Sequence, residues 1–69
     1  MKVFAIISVA RQLDGEFVII RTDKGFKSAQ KAEEHFKTLT QSYNEIVQTP
    51  AGGINCLVER GIFEIEVQE

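Results

Sequence analysis

The side chains of this sequence that could do chemistry are few and scattered. His35 is the only imidazole, and so the only side chain whose ordinary pKa lies near neutrality. It sits at the rim of an apolar helical stripe, where a half-buried histidine packing on a sheet is the plain reading. Cys56 is the only thiol. It alternates with apolar neighbours, as an inert buried cysteine does. One histidine and one cysteine cannot form a Cys/His zinc site, and one cysteine cannot form an internal disulfide. No base stands beside a nucleophile; Asp14 and Glu16 mark a turn, Asp23 precedes the helix and the remaining glutamates mark exposed faces. Lys24-Gly25-Phe26-Lys27-Ser28 is the one segment suited to a ligand. Lysines and free backbone N–H groups at a helix start attract anions, which makes Lys24, Lys27 and Ser28 a possible anion site. The segment lacks P-loop spacing, and the plain reading is a turn, a helix cap and solvated lysines. Gly52-Gly53 reads as a backbone reversal. No residue is assigned a catalytic, cofactor-binding or metal-ligating role, and an enzyme is not expected.

Those residues need a scaffold, and 69 residues allow one domain spanning 1–69 with one small core. Such a chain is marginally stable without a disulfide, a metal or a partner, so a homodimer is an expected means of adding buried area. The lone thiol suits the cytoplasm. Lys2 followed by the apolar run Val3 to Ala10 imitates an export signal, but no small-residue cleavage site follows and the run reads as a strand. It is too short to span a bilayer. The formal net charge is −2 and the isoelectric point about 5.3, which speaks against a general nucleic-acid binder. Residues 21–37 nonetheless carry a surplus of +2 and residues 54–69 a deficit of −3.

Asp14-Gly15 predicts a hairpin between Val3–Leu13 and Glu16–Thr22, both rich in β-branched and aromatic residues. Strand alternation puts Val3, Ala5, Ile7 and Val9 on one face with Val18 and Ile20. It puts Phe4, Ile6 and Ala10 on the other with Phe17 and Ile19. Both faces are apolar, the mark of a central strand covered on both sides. A helix is predicted from Lys27 to Tyr43, capped by Ser28. Ala29, Ala32, Phe36, Leu39 and Tyr43 recur at spacings of 3 and 4 and form its buried stripe. With Ile46 and Val47 near that stripe, the helix can extend towards Thr49, where Pro50 stops it. Arg60-Gly61 then predicts a second hairpin pairing Val58 with Phe63, Cys56 with Ile65 and Ile54 with Val67, all on one dry face.

The result is an α+β fold, ββαββ (hairpin, helix, hairpin), with one helix on one face of a four-stranded sheet. Strand order 2-1-4-3 is favoured, with strands 1 and 4 parallel, and a meander is the alternative. This order is similar to the β-grasp of ubiquitin-like and immunoglobulin-binding domains, a likeness of architecture that fixes no function. One helix cannot cover both apolar faces. The expected function is therefore a non-catalytic protein-interaction or regulatory module, self-associating or binding another protein, with no membrane partner. Phe4, Ile6, Phe17, Ile19, Leu57 and Ile62, or the face opposite, form the possible interface. Two alternatives are a small acidic inhibitor or decoy of a basic nucleic-acid-handling protein, using Glu59, Glu64, Glu66 and Glu69, and a small enzyme or ligand carrier with its site at a dimer seam.

Overall fold

A computed structural model describes residues 1–68. It has four strands and one short helix: β1 (Lys2–Gln12), β2 (Val18–Phe26), α1 (Ala29–Phe36), β3 (Ser42–Thr49) and β4 (Gly52–Glu66). The strands form one curled sheet in the order β2-β1-β4-β3, and every neighbouring pair is antiparallel.

The first hairpin follows its sequence pattern. Val9 pairs with Ile20 and Ala10 with Ile19, so the two face sets are those that alternation predicts. The Gln12 amide donates to the Phe17 carbonyl at 2.8 Å, which leaves Leu13 to Glu16 as a four-residue loop. β2 runs past Thr22 to Phe26, absorbing a register shift opposite Ile6 and Ile7. Lys24 faces Ile6 and Thr22 faces Ile7, so Asp23 is the extra residue of a bulge.

The helix is half the predicted length. Ser28 caps it, its hydroxyl accepting from the Lys31 amide at 3.4 Å, and Ala32 is fully buried against the sheet. It ends at Phe36 because Thr38 offers the backbone another partner: the Thr38 hydroxyl donates to the His35 carbonyl at 2.6 Å. The following residues suit both periods, and extended structure prevails. Tyr43, Glu45, Val47 and Thr49 are half-buried while Ser42, Asn44, Ile46 and Gln48 are exposed. That is strand alternation, carried by residues with weak helix preference.

The last segment departs furthest from expectation. The chain reverses at Pro50-Ala51, between Thr49 and its partner Gly52, and not at Arg60-Gly61. Proline suits the first inner position of such a turn, and Gly52 follows it with φ 118°, a conformation that glycine readily adopts. Gly61 has no positive φ, and without one a two-residue hairpin turn does not form there. Residues after Gly61 therefore keep the direction of those before it, antiparallel to β1. The expected parallel pairing of strands 1 and 4 does not occur, and the likeness to the β-grasp stops at the strand order.

Parity then decides burial. In a hairpin centred on residues 60–61, Val58 and Phe63 would share a face. In one continuous strand an odd separation puts them on opposite faces. Ile54, Cys56 and Val58 point to the inner side, where Cys56, Val58 and Ala10 form a fully buried cluster. Phe17, Ile19, Tyr43, Val47 and Ile54 pack around it. Phe63 and Ile65 point outward.

Candidate functional site

On the inner face the polar side chains serve the fold. Ser8, on the central strand, is buried and its hydroxyl donates to the Asp23 carboxylate. The Arg60 Nε donates to the same carboxylate at 3.1 Å, Nη1 to the Thr40 carbonyl at 2.6 Å and Nη2 to the Tyr43 hydroxyl at 3.2 Å. The Arg60 guanidinium also lies over the Tyr43 ring, 4.9 Å from its centroid. One side chain thus ties β2, the α1–β3 connection and β3 to β4. Burial works against the Asp23 carboxylate, but the Ser8 hydroxyl and the charges of Arg60 and Arg21 outweigh it and hold its pKa below the usual 3.8. Arg21 on one edge strand reaches Glu45 on the other at 2.9 Å, which closes the curl over the core. These groups are mutually satisfied, and none is aimed at open space.

Sequence reasoning missed this cluster. It assigned Asp23 to the stretch before the helix, Tyr43 to the helix and Arg60 to a hairpin loop. The available signal was Ser8, one polar residue in an apolar run on a central strand, which needs a buried partner.

Lys24, Lys27 and Ser28, the possible anion site, sit in three local settings. Lys24 lies within β2 and its ammonium rests 5.3 Å from the centroid of the Phe26 ring. Ser28 is engaged as the helix cap, and Lys27 alone remains as a solvated lysine in the β2–α1 connection. His35 stacks at a tilt on Phe26, centroids 5.5 Å apart. Cys56 is buried, and no group of three or more metal-ligating side chains occurs among the described residues. The acidic residues of the last segment do not form one surface. Glu64 pairs with Lys2 at 3.2 Å and Glu66 with the Met1 amino group at 3.2 Å, while Glu59 is on the opposite face; Glu69 lies outside the described residues.

Of the possible interface residues, Ile6 is wholly buried within the chain, and Phe17 and Ile19 pack on the inner cluster. Phe4 and Ile62 are half-buried on that same inner face. Leu57 alone belongs to the outer face, where it pairs with Arg11. The physical reason is the curl together with α1, which enclose this side and leave the opposite one open.

That outer face is apolar and uncovered. Val3, Ile7 and Val9 run half-buried along its centre, with Ala5 buried beside its partner Phe63, flanked on β4 by Phe63 and Ile65 and on β2 by Val18 and Ile20. Exposure reaches 69% at Ile20, 50% at Val18 and Phe63 and 40% at Ile65. With side chains of this size presenting roughly 150–200 Å2 each when free, the stripe exposes on the order of 450 Å2, as much as the largest patch on a typical monomer. A shallow groove of about 190 Å3 opens within it, lined by Ile7, Val9, Arg11, Phe63 and the Glu59-Arg60-Gly61 stretch of β4. The missing side chain at Gly61 forms its floor: a Cβ there would stand 3.0 Å from the Phe63 ring. No helix among the described residues is long and apolar enough to cross a membrane. No family model, curated protein or solved structure matches the chain, and its own residues carry the functional reading.

Proposed function

We propose that this protein is a non-catalytic interaction module that works through the outer face of its sheet. The observation that carries this reading is the continuous apolar stripe from Val18 and Ile20 across Ile7 and Val9 to Phe63 and Ile65. Exposed apolar stripes of this extent, bordered by polar residues, are characteristic of surfaces that meet another protein. The edge of β2 is less suited to recognition, because the Asp23 bulge and the charges of Arg21 and Lys24 blunt it against strand addition. The acidic-decoy reading loses support from the ion pairs that neutralise Glu64 and Glu66. The groove beside Phe63 is lined by Arg11, Glu59 and Arg60 with no nucleophilic side chain among them, so we do not favour an enzyme. A lone buried thiol suits a reducing compartment, and we place the module in the cytoplasm with a protein partner rather than nucleic acid or membrane.

Sedimentation combined with binding of an apolar fluorescent dye tests this reading. The face is expected either to be covered by self-association or to bind dye, with Ile20→Lys and Phe63→Lys abolishing whichever occurs. A monomer that binds no dye contradicts it.

A further inference from the structure

We infer that the outer face is covered by a second copy of this chain, in a two-fold dimer with the apolar stripes of the two sheets in contact. The inference rests on the reading of that face as an interface and names its occupant. Three observations favour a copy over an unrelated protein.

The first is the size of the core. Among the described residues the fully buried apolar side chains are Ala5, Ile6, Ala10, Ala32, Cys56 and Val58. Three of the six are alanines, a small interior for 69 residues. The Cα trace measures only 16 Å along its shortest axis, so α1 and the sheet are the only layers. A chain this thin gains stability by covering its open face, and a copy of itself is present whenever the chain is made.

The second is charge. Among the described strand residues Arg11 and Glu59 are the only ionised side chains on the outer face, at diagonal positions on β1 and β4. Neither makes an ion pair among the described residues. Their signs cancel, so the face is neutral although the chain carries −2. Two such faces meet without repulsion, and each offers the other one cation and one anion.

The third is area. Two stripes of on the order of 450 Å2 each, with the polar atoms around them, bring the buried surface past roughly 1,000 Å2, the threshold for a specific interface. A two-fold arrangement presents the same patch from both partners, so each favourable contact occurs twice.

Sedimentation equilibrium over a range of concentrations tests the dimer in the wild-type chain, in Ile20→Lys, in Phe63→Lys, in Arg11→Glu and in the double variant Arg11→Glu with Glu59→Arg. Ile20 and Phe63 are at least half exposed in the single chain, so circular dichroism should show the fold retained. The wild type should be a dimer, and each apolar-to-lysine change should raise its dissociation constant at least about tenfold. Arg11→Glu gives each face two negative charges and should weaken the dimer several-fold, and the double variant, neutral again, should regain it. A monomeric wild type, or a dimer indifferent to Ile20→Lys and Phe63→Lys, overturns the inference. If the monomer binds apolar dye and Ile20→Lys abolishes that binding, the occupant is wrong and the interaction reading stands. If it binds none, both fall.

Discussion

Replacing Arg60 by alanine removes three hydrogen bonds given by one guanidinium, to Asp23, the Thr40 carbonyl and the Tyr43 hydroxyl, together with the stacking over Tyr43. The Arg60 and Asp23 side chains are 17% and 28% exposed, so water screens them only in part. Bonds from a charged donor are worth about 1.5–3 kcal/mol each before the side-chain entropy released on their loss is deducted. Asp23 is also left with Ser8 as its one hydrogen-bond partner among the described residues. With the Asp23 and Thr40 bonds lying at the surface and partly screened by water, net destabilisation should be about 1–3 kcal/mol, still comparable with the few kcal/mol available to a domain this small. Urea unfolding at fixed protein concentration should show Arg60→Ala at the edge of folding. A double-mutant cycle with Asp23→Asn should give a coupling of about 1–2 kcal/mol.

The same cluster sets an acid dependence. The folded-state pKa of Asp23 is depressed below 3.8, so its stabilisation is fully present above that value and is lost as pH falls through the folded pKa. Arg60 supplies part of the depression, so the acid-linked loss should be smaller in Arg60→Ala, where Ser8 and Arg21 remain. A coupling below about 0.5 kcal/mol, with acid dependence unchanged by the substitution, would refute the view of Arg60 as the tie between β2, β3 and β4.

Three further outcomes follow from the fold. Val58→Ala leaves a hole in the inner cluster with Ala10 and Cys56, and should cost about 2 kcal/mol in chemical denaturation. Gly52→Ala forces an alanine to φ 118° after Pro50-Ala51, and should lower stability by about 1 kcal/mol, whereas a substitution at a glycine of ordinary φ would not act through strain. Ser28→Ala removes the cap on the Lys31 amide, and should cost about 1 kcal/mol and speed hydrogen exchange in α1 ahead of the sheet.

The first hairpin was legible because its residues carry one period only: Val9, Ala10, Ile19 and Ile20 alternate whichever loop length joins the strands. The cap at Ser28 and the reversal near Pro50 were legible for the same reason, as local chemistry with one structural outcome. Residues 39–47 were ambiguous, since Leu39, Tyr43, Ile46 and Val47 satisfy a helical stripe and Tyr43, Glu45 and Val47 also satisfy a strand. The choice depends on β4, which needs a partner along Gly53 to Glu59 that no local pattern reveals. Arg60-Gly61 resembled a turn by composition alone. Its strand conformation depends on β1, which pairs with every residue from Cys56 to Glu66. That single displaced reversal moved Phe63 and Ile65 to the outer side. The apolar character of both faces of the first hairpin was therefore readable from sequence, whereas which face stays open depended on a long-range pairing.

Amide and methyl chemical shifts followed from dilute to concentrated protein report residue by residue on what the outer face does in solution. Concentration-dependent shifts should gather at Val18, Ile20, Ile7, Val9, Phe63 and Ile65, with Arg11 and Glu59 at their margin, while Ala10, Cys56 and Val58 stay fixed. Shifts confined to the strand edges or to the α1 side, or none in a monomer that also binds no apolar dye, would contradict it.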